Sequence, residues 1–132
     1  MVLLDTHIWL WWLLGDGNLK PREREAFDEL ANNGKLCISW ITLWETELLE
    51  RKERIILTPD FSTWSQKATD HAFLTMLPVD LDVLIAQRKL PDSFHADPAD
   101  RLITATGMLS GYDLATHDRR IIESKSCKIW SA

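Results

Sequence analysis

The chain has 132 residues, which is enough for one domain with a hydrophobic core. It is 45% hydrophobic and 27% charged, a composition typical of folded globular proteins that excludes a disordered or fibrous chain. Its net charge of −5 argues against broad, non-specific binding of nucleic acid, which needs a surplus of Lys and Arg. It does not exclude a nuclease whose acids converge on one site and bind cations there.

Short apolar runs alternate with longer stretches of helical period, which predicts an α/β protein with a parallel sheet of four to five strands. The predicted strands are Val2–Leu4, Leu36–Ile38, Leu74–Val79, Leu114–Thr116 and Lys128–Trp130. The predicted helices are Thr6–Leu14, Pro21–Asn32, Trp40–Lys52, Phe61–Phe73, a turn or two around Val83–Ala86, Asp97–Leu109 and a short one before the last strand. No repeat or linker divides the chain, so residues 1–132 are expected to form a single domain.

Two features bear on the compartment. The longest apolar run, Ile8–Leu14, is too short to cross a bilayer, and the N-terminal run lacks the basic region and cleavage site of an export signal. Cys37 and Cys127 have neither metal-ligand nor disulfide-framework spacing, and each lies in an apolar run. We therefore expect buried free thiols, a cytoplasmic protein and no membrane attachment.

Two acids follow predicted strands. Asp5 comes directly after the first strand, and Asp118 comes two residues after Thr116. In an open parallel sheet, ligands bind beyond the carboxyl ends of the strands. Either acid alone is better interpreted as a turn residue or a helix cap. Two of them at one edge of the sheet favour a site modestly.

Glu45 lies in the middle of an apolar helical stripe. Its neighbours at helical spacing are Ile41, Thr42, Leu48 and Leu49. Desolvating a carboxylate there costs on the order of several kcal/mol unless something compensates the charge. A buried ion pair and a bound cation explain this residue about equally well.

The segment Asp97–Asp100 predicts the start of a helix. Asp97 suits the N-cap and Pro98 the first helical position, while Asp100 falls in the first turn, where the helix dipole favours an anion. We interpret Asp97 as a cap. That explanation accounts less well for Asp100, because one acid already caps the helix.

Taken in order, these segments strongly resemble the PIN-domain family, and within it the VapC-type toxins. The matching segments are Leu3–His7, Ser39 with Trp44-Glu45, Asp97–Ile103 and Ala115–Asp118. Each segment alone is weak evidence for the family, but the four together in this order are specific. The resemblance implies a three-layer PIN-like fold, an endoribonuclease, a VapB-like antitoxin and a homodimer. It maps the four family acids to Asp5, Glu45, Asp100 and Asp118. Gly107 departs from the pattern, since the family usually has Ala there.

Clustered carboxylates suit hard cations, Mg²⁺ or Mn²⁺, held partly by water. None of the four histidines makes a zinc-type pair. We expect Asp5 and Asp100 to be the main direct ligands and Asp118 a further or water-mediated one. Glu45 is expected to complete the metal shell or to orient the attacking water. Bound cations of this kind activate water and stabilise charge on the leaving oxygen.

Three residues are candidates for substrate binding: Thr116, Arg101 and Arg119. The arginines follow two of the acids, as does Arg120, and are candidates to contact phosphates beside the scissile one. For at least one of them an exposed charge or a local ion pair is the favoured interpretation.

Other functions fit less well. A haloacid-dehalogenase phosphatase needs a second Asp where this chain has His7, and a receiver domain needs a nearby acidic pair that is missing. The alternative from another class is a PIN fold kept for binding RNA or protein without catalysis. Most of the seven tryptophans are expected in the core. Because the helix at Ile8–Leu14 is apolar all round, part of it is expected to meet a second subunit or a partner.

Overall fold

A computed structural model describes all residues, Met1–Ala132, as seven helices and four strands. The strands are β1 (Val2–Leu4), β2 (Leu36–Ser39), β3 (Thr75–Leu77) and β4 (Asp113–Ala115). The helices are α1 (Thr6–Leu14), α2 (Pro21–Asn32), α3 (Trp40–Arg51), α4 (Phe61–Ala68), α5 (Leu81–Gln87), α6 (Pro98–Ser110) and α7 (Arg119–Ser124).

The four strands form one parallel sheet in the order β3-β2-β1-β4. The central strand β1 places Leu3 opposite Cys37 on one side and Leu114 on the other. Because all strands run the same way, their carboxyl ends meet at one edge of the sheet. The helices that start there, α1 after β1, α3 after β2 and α7 after β4, begin close together. The predicted α/β class is confirmed.

Both faces of the sheet are covered, which makes three layers. Side chains alternate along β1, so Val2 and Leu4 pack with Trp9 and Phe27 of α1 and α2 on one face. Leu3 points to the other face, into a second cluster of mainly aliphatic side chains from α6, α7 and the neighbouring strands. Strands buried on both faces explain why their sequences are continuously apolar.

The last predicted strand is reduced to a single bridge. Ile129 pairs with Leu114, whose N–H donates to the Lys128 carbonyl over 2.8 Å and whose carbonyl accepts from the Trp130 N–H over 2.9 Å. Helix α4 also ends five residues earlier than predicted, at Ala68. The hydroxyl of Thr69 donates to the Ser65 carbonyl at that end, and the chain then turns before β3.

Helix α1 is not buried on every side within this chain. Thr6 and Ile8–Leu10 are buried, but Leu13 is 36% and Leu14 41% exposed. Most of the seven tryptophans belong to the core, as expected: Trp9 is fully buried, and four others are partly buried against the same cluster, namely Trp11, Trp12, Trp64 and Trp130. The two exceptions, Trp40 and Trp44 on α3, are more than half exposed.

Two smaller expectations are also settled. Both cysteines are free, Cys37 buried and Cys127 partly so, and burial raises the pKa of both thiols. A Cβ added to Gly107 would meet Cys127 at 3.7 Å, an ordinary contact, so packing does not require glycine there. None of the helices combines the length and the apolar character needed to cross a membrane.

Candidate active site

All four predicted acids line one cavity of about 340 Å³ at the carboxyl edge of the sheet. We call it the acid cavity. Its lining residues are Asp5, His7, Trp11, Glu45, Asp97, Asp100, His117, Asp118 and Arg120. Five carboxylates therefore face a single guanidinium. The convergence follows from topology, because three of these acids are the N-caps of helices that start at this edge and a fourth is in a first turn.

Asp5 is buried at the floor of the cavity. One carboxylate oxygen accepts from the Thr6 N–H over 2.8 Å, so the acid caps α1. The other oxygen accepts from the Thr116 hydroxyl over 2.7 Å. Burial raises the pKa of Asp5 despite these hydrogen bonds, and the nearby charge of Asp100 raises it further. No cationic side chain bonds to this carboxylate.

Glu45 is half-buried on the cavity side of α3. Its carboxylate accepts a hydrogen bond from the Thr6 hydroxyl, which also lies 3.0 Å from the hydroxyl of Thr42. Burial, followed by repulsion from Asp5 and Asp100, raises its pKa to about 7. The structure provides no ion pair for Glu45. Of the two explanations that the sequence left open, the buried ion pair is thereby removed.

Asp100 has a partner that the sequence did not indicate. His95 Nε2 lies 2.7 Å from Asp100 Oδ2, and the His95 ring stacks on Phe94 at 4.5 Å between centroids. Burial raises the pKa of Asp100 although the hydrogen bond from His95 opposes the shift. Asp97 caps α6 as predicted, by accepting from the Asp100 N–H over 3.0 Å.

Asp118 differs from the other acids. It caps α7, accepting from the Arg120 N–H over 2.9 Å, and it also pairs with the Arg120 guanidinium at 3.1 Å. Partial burial acts to raise the pKa of Asp118, but these bonds outweigh it and the pKa is lowered. The same guanidinium is 3.7 Å from Asp100.

The donor set fits a divalent cation. Ligand atoms of His95, Asp100 and Asp118 all lie within 4.8 Å of one another. Asp5 and Glu45 are outside this close group but line the same cavity, and no cationic side chain forms an ion pair with either of them. Carboxylate oxygens are the donors that suit Mg²⁺ or Mn²⁺. The imidazole of His95 lies beside them, hydrogen-bonded to Asp100.

The three candidate substrate-binding residues lie in different places. Thr116 is buried beneath the cavity, where it donates to Asp5 and accepts from the Asp118 N–H over 3.0 Å, so it positions two acids. Arg101 faces away from the acids, with its guanidinium bonded to the side chain and carbonyl of Gln87. Arg119 is exposed and lines a neighbouring groove, while Arg120 lines the acid cavity.

Comparison with known proteins identifies the family. The family model described as PIN domain matches residues 2–125. Ribonuclease VapC22 of Mycobacterium tuberculosis is 34% identical over 120 residues, covering 91% of this chain and 88% of that protein.

Solved structures share the fold. DNA-bound VapBC from Salmonella typhimurium aligns with a TM-score of 0.73 at 20% identity, over 98% of this chain and 96% of that chain. FitAcB from Neisseria gonorrhoeae aligns with a TM-score of 0.71 at 19% identity, over 99% and 97%. Since the family model spans nearly the whole sequence and a VapC relative is more than 30% identical, this chain belongs to the PIN-domain family and to its VapC type.

Proposed function

We propose that this protein is a metal-dependent endoribonuclease that hydrolyses RNA phosphodiester bonds, acting as the toxin of a VapBC-type pair. The observation that carries the proposal is the convergence of Asp5, Glu45, Asp100 and Asp118 on one cavity with a single guanidinium. A site built to bind RNA without chemistry has no need for uncompensated carboxylates, since they repel phosphate. A bound cation reverses that charge and makes the same site attractive.

In this proposal the acids hold one or two divalent cations, Mg²⁺ or Mn²⁺. Asp5 and Asp100 are the main ligands, Asp118 is a further one, and His95 orients Asp100 or adds a nitrogen donor. When bound, the cation activates water and stabilises the charge that develops on the phosphate. Glu45, held by the hydroxyl of Thr6, orients the attacking water. Thr116 keeps Asp5 and Asp118 in place.

The proposed partners are RNA, a VapB-like antitoxin and a second copy of the chain, in the cytoplasm, with residues 1–132 acting as one domain. The M. tuberculosis relative is named a ribonuclease, and the S. typhimurium structure is a VapBC complex bound to DNA. Exposed apolar side chains support protein partners. They are Leu13 and Leu14 at the end of α1, and Trp40 and Trp44 on α3.

The test is cleavage of a total RNA pool by the purified protein with Mg²⁺ or Mn²⁺, with and without EDTA. We expect defined fragments that disappear with EDTA and return when excess Mn²⁺ is added. Cleavage that EDTA leaves unchanged would contradict the proposed site. RNA binding without any cleavage under these conditions would favour the non-catalytic PIN module.

A further inference from the structure

One wall of the acid cavity is a row of three aromatic rings. Trp11 stands in the middle, with ring centroids 5.9 Å from His7 and 5.5 Å from His117. All three line the cavity, and the two histidines are exposed while Trp11 is partly so. The rings are tilted against one another by more than 50°, which leaves parts of their faces open beside the carboxylates.

His117 also belongs to a second cavity, of about 500 Å³, which we call the basic groove. It shares His117 with the acid cavity, and its lining includes Lys20, Arg22 and Arg119. Its single acidic side chain, Glu23, lies 2.8 Å from His117 Nε2.

The cations of the basic groove are available to a ligand. Lys20 and Arg22 make no ion pair, and Arg119 has only a loose contact of 3.8 Å with Glu123. Another groove shares Glu45 and Asp97 with the acid cavity, and it is lined by Lys52 and Arg54, so its two formal positive charges equal its two negative ones although no ion pair links them. Of these two neighbouring grooves, only the basic groove has more cationic than acidic side chains.

This combination suits one kind of ligand. Aromatic faces bind unstacked bases and a line of Lys and Arg binds the phosphates between them, a combination found where proteins bind single strands. Bases of a duplex are already stacked and paired, so they cannot use the rings without being unstacked first. An acidic peptide would use the cations but gain nothing from the ring faces.

We propose that the Trp11 row and the basic groove form a single-strand subsite. A base next to the scissile phosphate stacks on Trp11, with His117 beside it, and the following phosphates bind Lys20, Arg22 and Arg119. This inference rests on the proposed ribonuclease function for its position relative to the cleaved bond. The subsite selects unpaired RNA on one side of the cut.

The stacking step is tested with a short single-stranded RNA that contains a mapped cleavage site, with abasic nucleotides introduced one at a time around it. Losing one stacked base is expected to raise KM about 10-fold with kcat changed less than about 3-fold. Trp11→Leu should also raise KM about 10-fold on the intact RNA. On the RNA that lacks the stacked base, Trp11→Leu should raise KM no further. Trp11→Phe should restore most of the affinity, and the matched control Trp40→Leu, exposed on α3, should leave KM unchanged.

The phosphate step is tested by binding of a fluorescent single-stranded RNA in EDTA, followed by anisotropy at several KCl concentrations. Each phosphate contact contributes about 0.7 to the slope of log affinity against log salt, so Lys20→Ala/Arg22→Ala should lower the slope by about 1.4. Lys35→Ala/Lys67→Ala removes the same charge away from these cavities and should leave the slope almost unchanged. A duplex of the same sequence should bind more weakly than the single strand.

The outcomes separate the two proposals. RNA binding with the expected salt slope and preference for single strands, but without cleavage, would contradict the ribonuclease proposal and support the subsite. Cleavage with KM unchanged in Trp11→Leu, or a salt slope in Lys20→Ala/Arg22→Ala equal to that of its control, would overturn the subsite and leave the ribonuclease. If Trp11→Leu unfolds, His117→Ala, a change at an exposed ring, is expected to raise KM about 3-fold and serves in its place.

Discussion

The acid cavity has two unlike halves. In the deep half, Asp5 and Glu45 are held by the hydroxyls of Thr116 and Thr6, and burial raises the pKa of both. In the rim half, Asp118 pairs with the Arg120 guanidinium and its pKa is lowered. Asp100 lies between them, 3.7 Å from Arg120 and bonded to His95, and its pKa is raised.

The difference shows where a cation is needed. Hydroxyl donors fix the orientation of a carboxylate but bring no net charge, so the deep half keeps its negative charge and its desolvation cost. The rim half already has a cation that belongs to the protein. A divalent ion therefore gains most from the deep acids, and at the rim it must compete with Arg120 for Asp118.

The largest effect is expected from the deep half. Asp5→Asn should lower metal-dependent RNA cleavage by about 10³-fold or more, because losing several kcal/mol of transition-state stabilisation costs a factor of ten for every 1.4 kcal/mol. Initial rates with saturating Mn²⁺ measure the loss, and circular dichroism checks that the variant is folded.

Asp97→Asn is the matched control for that change. It removes the same charge from the same cavity, but Asn caps a helix as well as Asp does, so activity should stay within about 3-fold. Equal losses in Asp5→Asn and Asp97→Asn would mean that only the total charge of the cavity matters. The distinction between its halves would then be wrong.

A pH effect on the metal-free protein should be smaller. Folding raises the pKa of Glu45 from its ordinary value of 4.5 to about 7, so folding favours the protonated acid. The loss of folding stability caused by ionised Glu45 is absent below pH 4.5, grows between pH 4.5 and 7, and is complete above pH 7. Because Glu45 is only half-buried, screening by solvent reduces it to about 1–2 kcal/mol. Asp118, whose pKa is lowered, contributes stability that is fully present above its ordinary pKa of 3.8 and is lost only as the pH falls below that value, so it adds nothing to the change between pH 5 and pH 8.

Urea denaturation in EDTA at pH 5 and pH 8 measures this effect. Glu45→Gln should stabilise the metal-free protein at pH 8 and not at pH 5, and Mn²⁺ should stabilise wild type at pH 8 by binding to the folded state. Glu47→Gln, two residues along the same helix, should keep the pH dependence of wild type. A Glu45→Gln protein with that same dependence would contradict a costly charge in the deep half.

The sequence indicated the acids of both halves, but not that hydroxyls hold the deep acids while a guanidinium pairs with Asp118 at the rim. Strand ends and a helix start left local signals at Asp5, Asp100 and Asp118, but the resemblance to the PIN-domain family was needed to join them into one site. Glu45 was recognisable from a charge in an apolar stripe. The hydrogen-bond donors to these acids could not be predicted, because they are brought to the cavity by tertiary structure. His95 comes from an irregular segment before α6, and nothing local ties it to an acid five residues later.

Two further differences between the predicted and the observed structure also depend on tertiary structure. Arg120 and not Arg119 is the cation at the rim, where it bonds to Asp118, and no periodicity in a six-residue helix indicates which of the two does so. The segment at Ile129 has the composition of a strand, but it makes a single bridge at the edge of the sheet. Such edges depend on neighbours distant in sequence.

The smallest effect is expected at the rim, and with the opposite sign. Arg120→Gln removes the cation that competes for Asp118, and an exposed ion pair of this kind is weak. Binding of Mn²⁺, measured by calorimetry, should therefore tighten slightly, whereas Asp5→Asn should weaken it. Arg119→Gln is the control, since that exposed side chain removes an equal charge without lining the acid cavity. Weaker Mn²⁺ binding in Arg120→Gln would show that Arg120 organises the metal site instead of competing with it, and the rim would then resemble the deep half.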